Sequence, residues 1–445
     1  MEFLEKCFKL KENKTTVRTE VYAGLTTFMT MAYILIVNPS LLSAAGMDSG
    51  AVLTATAIGS AIGTFCMAAF SNYPFALAPG MGLNAYFAFT VVLQMGYSWQ
   101  MALAAVFVEG IIFIILSLIN VREAIFNAIP KNMKSAVSVG IGLFIAFIGM
   151  QNAGIIVNED ATLVTLGNVK SVTVLLALVG LVITMVLVAR KVKGALFFGI
   201  IITYIIGIIC QLTGIYAVNP DAGMYSLLPS GIISTPPSIS STFMKMDFSK
   251  VLTGDFIIIM FSFLFVDLFD TLGTLIGVST KAGYLDKDGK LPRIKGALLA
   301  DAIGTTAGAV LGTSTVTTFV ESASGVTEGG RTGLTSAIVG VLFLVALIFS
   351  PVIMAIPSFA TAPALIVVGL FMIEQVVNID FKDYTEGFPA FMTIIMMVVA
   401  YSISTGLIFG TISYVLLKLF TGKSKDLNPV IVVIALLFVI KLALG

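Results

Sequence analysis

Apolar runs close to the roughly 20 residues that cross a bilayer recur along the whole chain, separated by short polar stretches. They begin near Val21, Ala51, Tyr73, Met101, Ser135, Val172, Leu196, Phe256, Lys295, Thr313, Thr332, Ala360, Pro389 and Thr405, which gives about fourteen spans by the hydropathy rule. The third and tenth do not have the pattern of continuous helices. Residues 72–82 (NYPFALAPGMG) carry two prolines and two glycines, and residues 313–325 (TSTVTTFVESASG) are rich in Thr and Ser. Both are expected to be extended segments that give way to short helices. Membrane depth tolerates such backbone only where it is buried in protein or lines a cavity.

The longest polar stretch, residues 214–255, carries Pro220, Pro229, Pro236 and Pro237 and falls near the middle of the chain. It is expected to link two halves of about seven spans each. The halves share a motif: residues 55–63 are ATAIGSAIG and residues 300–308 are ADAIGTTAG, with AxAIGxxxG in common and a similar distance to the broken segment in each half. Because seven is odd, the second half enters the membrane from the opposite face, which makes the chain an inverted repeat. Gly59 with Gly63, and Gly304 with Gly308, have the small-xxx-small spacing that lets helices pack closely. The organisation expected is a cytoplasmic N-terminus (1–19), a first repeat (20–214), a linker (215–255), a second repeat (256–421) and a tail (422–445). In the tail, residues 429–444 form a further apolar run slightly short for a crossing, so it either lies at the interface or docks on the bundle.

Lys and Arg placement agrees with this topology. With the N-terminus inside, the inner loops hold Arg122, Lys131, Lys134, Arg190, Lys191, Lys193, Lys281, Lys287, Lys290, Arg293, Lys295, Lys423 and Lys425. The outer loops hold Lys170, Lys245 and Lys250, beside Glu159, Asp160 and Asp247. The first twenty residues alternate in charge and lack the apolar core of a signal peptide, so the first span is expected to remain in the mature protein.

Composition narrows the class. Hydrophobic residues make up 58% of the chain and charged residues only 11%, against about 25% in a soluble domain. With a mean hydropathy of +1.04, a soluble globular protein is excluded. A net charge of +1 offers no basic field for nucleic acid. Cys7, Cys66 and Cys210 lie far apart and imply neither a disulfide framework nor a zinc site.

In a chain this apolar, carboxylates within spans mark candidate function, because lipid will not hold the charge. Residues 265–275 (FVDLFDTLGTL) place Asp267 and Asp270 three apart, nearly on one helix face. Glu321 lies in the broken tenth span. Thr318 stands at capping-box spacing before it, so Glu321 could cap the half-helix, bind a ligand, or do both. An interrupted helix also presents unpaired N–H groups and a positive dipole end to a cavity. Asn84 falls in the first turn after Pro79 and Gly80, where its carboxamide could pair with a heterocyclic edge or serve as a local cap. Asp301 corresponds to Thr56 of the first motif copy and is assigned a supporting role. The chain has no histidine, so proton coupling would fall to carboxylates, which hold protons more tightly when desolvated. No Lys or Arg occurs in either segment before Arg331, which favours a neutral or cationic ligand over an anion. An anion exchanger would want a basic residue where Glu321 stands. An intramembrane hydrolase finds no HExxH and no second aspartyl motif to pair with FDTLG.

Three stretches, APGMGLNAYFAF (78–89), FVDLFDTLGTL (265–275) and TTFVESASGVTEGGRTG (317–333), resemble the signatures of the azaguanine-like branch of the nucleobase:cation symporter family, the hypoxanthine, guanine and adenine permeases. The similarity runs from Thr19 to about Thr421. It implies an all-α polytopic fold of fourteen spans in two inverted seven-span repeats, with short antiparallel strands in the third and tenth. A core domain (spans one to four and eight to eleven) would carry the substrate beside a gate domain (five to seven and twelve to fourteen). The resemblance also implies proton symport of a purine base across the plasma membrane, dimerisation through the gate, and no cofactor; sodium coupling stays open. It assigns Asp270, Glu321 and Asn84 as ligands of the purine, assisted by N–H groups around Ala323 and Ser324. Phe87 and Phe319 are the aromatic candidates to stack on the base. Related uracil permeases have His after the eighth-span acid where this chain has Thr271, which leaves Asp267, Asp270 and Glu321 as candidates for the proton.

Overall fold

The structure, a computed structural model, describes residues 2–118, 130–219, 224–285 and 291–444. Arg122, Pro220, Lys287 and Lys290 lie outside the described residues, as does the side chain of Lys281. The chain is a mostly helical polytopic membrane protein. Eleven helices among the described residues are long and apolar enough to cross a membrane. Met81–Gln94 in the third span, Tyr384–Val399 as the thirteenth, and the broken tenth span complete the expected fourteen.

Local chemistry sets the helix starts. Thr16, Asp48, Ser171, Thr332, Asp383 and Ser402 each occupy an N-cap and accept a hydrogen bond from a first-turn N–H, as short polar side chains at these positions do. The first span comes in two pieces, Val17–Met31 and Ile34–Ala44. At the break the N–H groups of Leu35 and Ile36 turn to the carbonyls of Ala32 and Tyr33, 3.1 and 3.0 Å away, an i to i+3 pattern tighter than the α-helix.

The third and tenth spans are broken as expected. Leu77–Pro79 (β1) pairs antiparallel with Val316–Thr318 (β4) in the register Leu77↔Thr318, Ala78↔Thr317 and Pro79↔Val316. Both strands are fully buried. The ladder continues at each end, with Gly80 N–H donating to the Thr315 carbonyl (3.0 Å) and Phe319 N–H to that of Ala76 (2.9 Å). Each half-span thereby satisfies the other's exposed backbone. Threonines from the neighbouring helices add to this: Thr64 Oγ1 accepts from Leu77 N–H (2.9 Å), and Thr305 Oγ1 donates to the Val316 carbonyl (2.9 Å). Short helices follow each strand, Met81–Ala85 leading into a π-helical stretch Tyr86–Gln94, and Ser322–Thr327.

Two groups of spans surround this crossing. The ninth span (Ile294–Leu311) packs against the second (Ser49–Phe70) and fourth (Trp99–Leu118), and the eleventh (Gly333–Ala346) against the first and second. On the other side the fifth span (Lys131–Asn152) packs against the twelfth (Ser358–Ile373) and thirteenth, the sixth (Val172–Ala189) against the seventh (Ala195–Leu212), and the thirteenth against the fourteenth (Ile403–Phe420). These are the core and gate of the expected architecture. Val179, Val182 and Val186 of the sixth span are exposed together, as a lipid-facing helix requires.

One feature goes beyond the sequence-level expectation and a second decides between its two alternatives. Ile156–Glu159 (β2) and Leu163–Leu166 (β3) form an exposed antiparallel hairpin between the fifth and sixth spans. The tail helix Pro429–Leu444 docks on the bundle, packing along the fourteenth span and setting Phe438 edge-on to Phe261 of the eighth at 6.2 Å.

Candidate functional site

A cavity of about 640 Å³ opens where the core meets the gate, within the size range of small-molecule sites. Tyr33, Gly80, Asp270, Thr318, Phe319 and Glu321 line its deep end. Gly273, Thr274 and Gly277 continue along the eighth span (Gly254–Ala282) toward a mouth formed by Lys134, Ser138, Glu374 and Gln375. Val368, Phe371 and Met372 of the gate form an apolar wall opposite the core. The mouth therefore lies at the end where the fifth span begins and the twelfth ends.

Asp270 projects from the middle of the eighth span toward the strand crossing. A Cβ on Gly80 would lie 3.1 Å from Asp270 Oδ2 and 2.8 Å from Thr317 Cγ2, so this position admits Asp270 because it has no side chain. Glu321 reaches the cavity from the other broken span. It is the N-cap residue of Ser322–Thr327 and its side chain makes no capping bond. The capping-box geometry is thus not formed, and the carboxylate turns to Tyr33, whose hydroxyl donates to Oε1 at 2.8 Å.

Asp267 is fully buried and does not line the cavity. Thr271 Oγ1 stands 2.9 Å from Asp267 Oδ1, 2.9 Å from Asp301 Oδ1 and 2.6 Å from Thr317 Oγ1. Asp301 Oδ1 also accepts from Thr318 N–H at 3.2 Å, which ties the ninth span to β4 and matches its assigned supporting role. Thr271 is the centre of this polar knot behind the cavity wall.

Asn84 is also buried away from the cavity. Its Nδ2 donates to the Pro79 carbonyl at 3.3 Å and its Oδ1 accepts from Ser314 Oγ, so the amide joins the two broken spans. Phe319 lines the cavity; Phe87 is fully buried and packs edge-on to Phe263, with ring centroids 6.4 Å apart. The N–H groups of Ala323 and Ser324 already donate to the carbonyls of Val320 (3.0 Å) and Glu321 (2.9 Å). Of the expected ligand set, the structure brings together Asp270, Glu321 and Phe319 at one cavity.

Two acidic or polar residues carry no motif that would have marked them. Tyr33 belongs to the break in the first span. Glu20, fully buried in the same span, accepts hydrogen bonds from Arg331 N–H (2.9 Å), Thr335 N–H (3.1 Å) and Thr335 Oγ1 (2.6 Å). It thereby ties the start of the eleventh span, just after the tenth-span helix, to the first. An acid in the opening turn of an apolar run was its only sequence signal.

Residues 18–409 match the permease family. The chain is 52% identical over 441 residues to a putative permease of Methanocaldococcus jannaschii, covering 99% of this chain and 98% of that one. It is 46% identical over 441 residues to a guanine/hypoxanthine permease of Bacillus subtilis, covering 98% and 99%. Against an adenine permease of Escherichia coli it is 43% identical over 439 residues, covering 99% and 96%. Among solved structures, the transmembrane domain of a cyanobacterial bicarbonate transporter superposes with a TM-score of 0.65 at 16% identity, covering 87% of this chain and 97% of that domain. That likeness is one of fold.

Proposed function

Because this chain belongs to the permease family, we propose that it carries purine nucleobases across the plasma membrane, binding them between Asp270 and Glu321, with a proton moving in the same direction. It is a transporter rather than an enzyme. The observation that carries the proposal is the pair of carboxylates facing one cavity from the eighth span and the broken tenth span. Both accept hydrogen bonds, and a purine offers ring and exocyclic N–H donors to match. Phe319 in the same wall offers a face for stacking. The relatives named for guanine/hypoxanthine and for adenine both support a purine. We assign hypoxanthine and guanine ahead of adenine.

Two acidic groups at one site explain the coupling. Protonation of one relieves the repulsion between them, so the protonated and ionised states differ in affinity for the base, and that difference is what links proton to substrate. The mouth opens at the lysine-rich end, with Lys131 and Lys134 beside it, which by the positive-inside rule is the cytoplasmic end and leaves the N-terminus inside. In this reading the conformation is inward-open, and transport proceeds by movement of the core against the gate around the fixed site. Gate-to-gate pairing in a homodimer would hold the gate still while the core moves.

The test is uptake of labelled hypoxanthine into proteoliposomes under an inward proton gradient, with unlabelled guanine, adenine and uracil as competitors. Gradient-driven accumulation that guanine blocks and uracil does not, and that Asp270→Asn and Glu321→Gln each abolish, is the expected result. Wild-type uptake and affinity in both variants would sink the site assignment.

A further inference from the structure

Tyr33 lies at the interruption of the first span, only 2% exposed, with its ring against the cavity and its centroid 6.4 Å from that of Phe319. Its hydroxyl donates to Glu321 Oε1 at 2.8 Å. Tyr33 is the side chain that holds the Glu321 carboxylate, which also meets the residue's own backbone N–H and makes no capping bond to the helix that follows. A glutamate has three rotatable side-chain bonds, and a carboxylate that must meet a planar heterocycle loses affinity if it is free to turn. The break in the helix is what delivers the phenol there. In the tight turn from Ala32 to Ile36, Tyr33 is the N-cap residue of Ile34–Ala44, and Thr30, near the end of the preceding helix Val17–Met31, also points its Oγ1 toward the Glu321 carbonyl at 3.4 Å.

We propose that Tyr33 is a positioning residue for the transported base: by holding Oε1 of Glu321, it fixes the carboxylate plane and leaves Oε2 to accept an N–H of the base. This inference rests on the proposed purine site. It makes the first span part of substrate recognition, although that span contributes no carboxylate to the cavity. Loss of a hydrogen bond to a charged acceptor is read as roughly a tenfold or greater weakening of binding. Because the contact exists before substrate arrives and orients a ligand without itself moving charge, the loss falls on KM and leaves the maximal rate nearly unchanged.

The experiment measures hypoxanthine uptake by proteoliposomes containing wild type, Tyr33→Phe, or protein with 3-fluorotyrosine at position 33, with melting temperatures taken in parallel. Tyr33→Phe is expected to raise KM about tenfold while the maximal rate stays within about twofold. The fluorinated side chain keeps the donor and is expected to keep the wild-type KM. An unchanged KM in Tyr33→Phe overturns the inference, as does an equal rise in KM for both substitutions, which would mean that ring packing and not the hydroxyl matters. If wild type itself takes up no purine, the functional proposal fails and this inference with it; if wild type transports and Tyr33→Phe matches it, only the inference fails.

Discussion

Gly63 of the second span and Gly304 of the ninth meet backbone to backbone: a Cβ added to Gly63 would lie 3.3 Å from the Gly304 Cα. The companion pair is Gly59 with Gly308, at 3.5 Å. The last glycine of one AxAIGxxxG copy faces the first glycine of the other, which is the arrangement a two-fold axis between inverted repeats produces. Val316 of β4 packs at the same contact, 3.1 Å from a Cβ placed on Gly304.

Filling that contact should therefore disturb both the helix crossing and the strand behind the cavity. Gly304→Leu is expected to lower stability by about 1–3 kcal/mol through overpacking, visible as a fall in melting temperature in detergent, together with loss of hypoxanthine binding. Unchanged melting would show that the crossing has slack that these distances do not allow.

Glu20→Ala removes the acceptor shared by the N–H groups of Arg331 and Thr335 and by the Thr335 hydroxyl. Buried donors left without a partner make this destabilising by about 3 kcal/mol. Thermal unfolding checks it, and Glu20→Gln, which keeps one acceptor, should recover part of the loss.

The Thr271 hydroxyl has one proton and three oxygen neighbours, so it orders two aspartates and the strand residue Thr317 at once. Thr271→Ser should retain uptake. Thr271→Val should lower the uptake rate by at least roughly tenfold, the equivalent of one hydrogen bond to a charged group, and equal rates in the two variants would remove Thr271 from the knot's function.

Lys418 near the end of the fourteenth span is 3% exposed and pairs with Glu386 at 2.7 Å and Asp426 at 3.3 Å. Its carboxylate partners reach solvent, Asp426 at 55% exposure, so water screens the charges left behind and removing Lys418 costs less than breaking a fully buried pair. Lys418→Ala should melt lower while the hypoxanthine KM of the folded fraction stays at the wild-type value, because this cluster lies outside the cavity.

At the start of the thirteenth span, the hydrogen bond from Lys423 Nζ (2.6 Å), followed by those from Thr385, holds the Asp383 carboxyl well below the usual carboxylate range. A depressed folded-state value adds stability above the unfolded carboxyl's value of about 3.9 and loses it as the pH falls below that. Melting temperatures of wild type and Asp383→Asn should differ at neutral pH and converge in acid. A gap that stays constant down to about pH 3 would contradict the assignment.

The spans, the two broken segments and the inverted repeat were legible in the sequence because each depends on local composition. A stretch of about 20 apolar residues has few options in a bilayer other than a helix, and Pro74, Pro79 and the Thr-rich run before Glu321 oppose one. Asp270 and Glu321 were legible for the same reason, as charges with no place in lipid. The hairpin at residues 156–166 was not, since its strands are four residues each and fully or largely exposed, with no burial pattern to mark them.

The sequence by itself determined the class of the molecule, its repeat, and which acids deserved suspicion. Only the tertiary structure decided which of them meet. Asp267 and Asp270 are three residues apart on one helix, yet the strand crossing puts one behind the wall and the other in front of it. Asn84, which composition could only offer as a ligand or a cap, became the bond between two broken spans. Tyr33 and Glu20 gained their roles from partners 288 and 311–315 positions away. Such pairings are set by how helices cross and how two half-spans share their backbone hydrogen bonds, and no window of neighbouring residues contains that information.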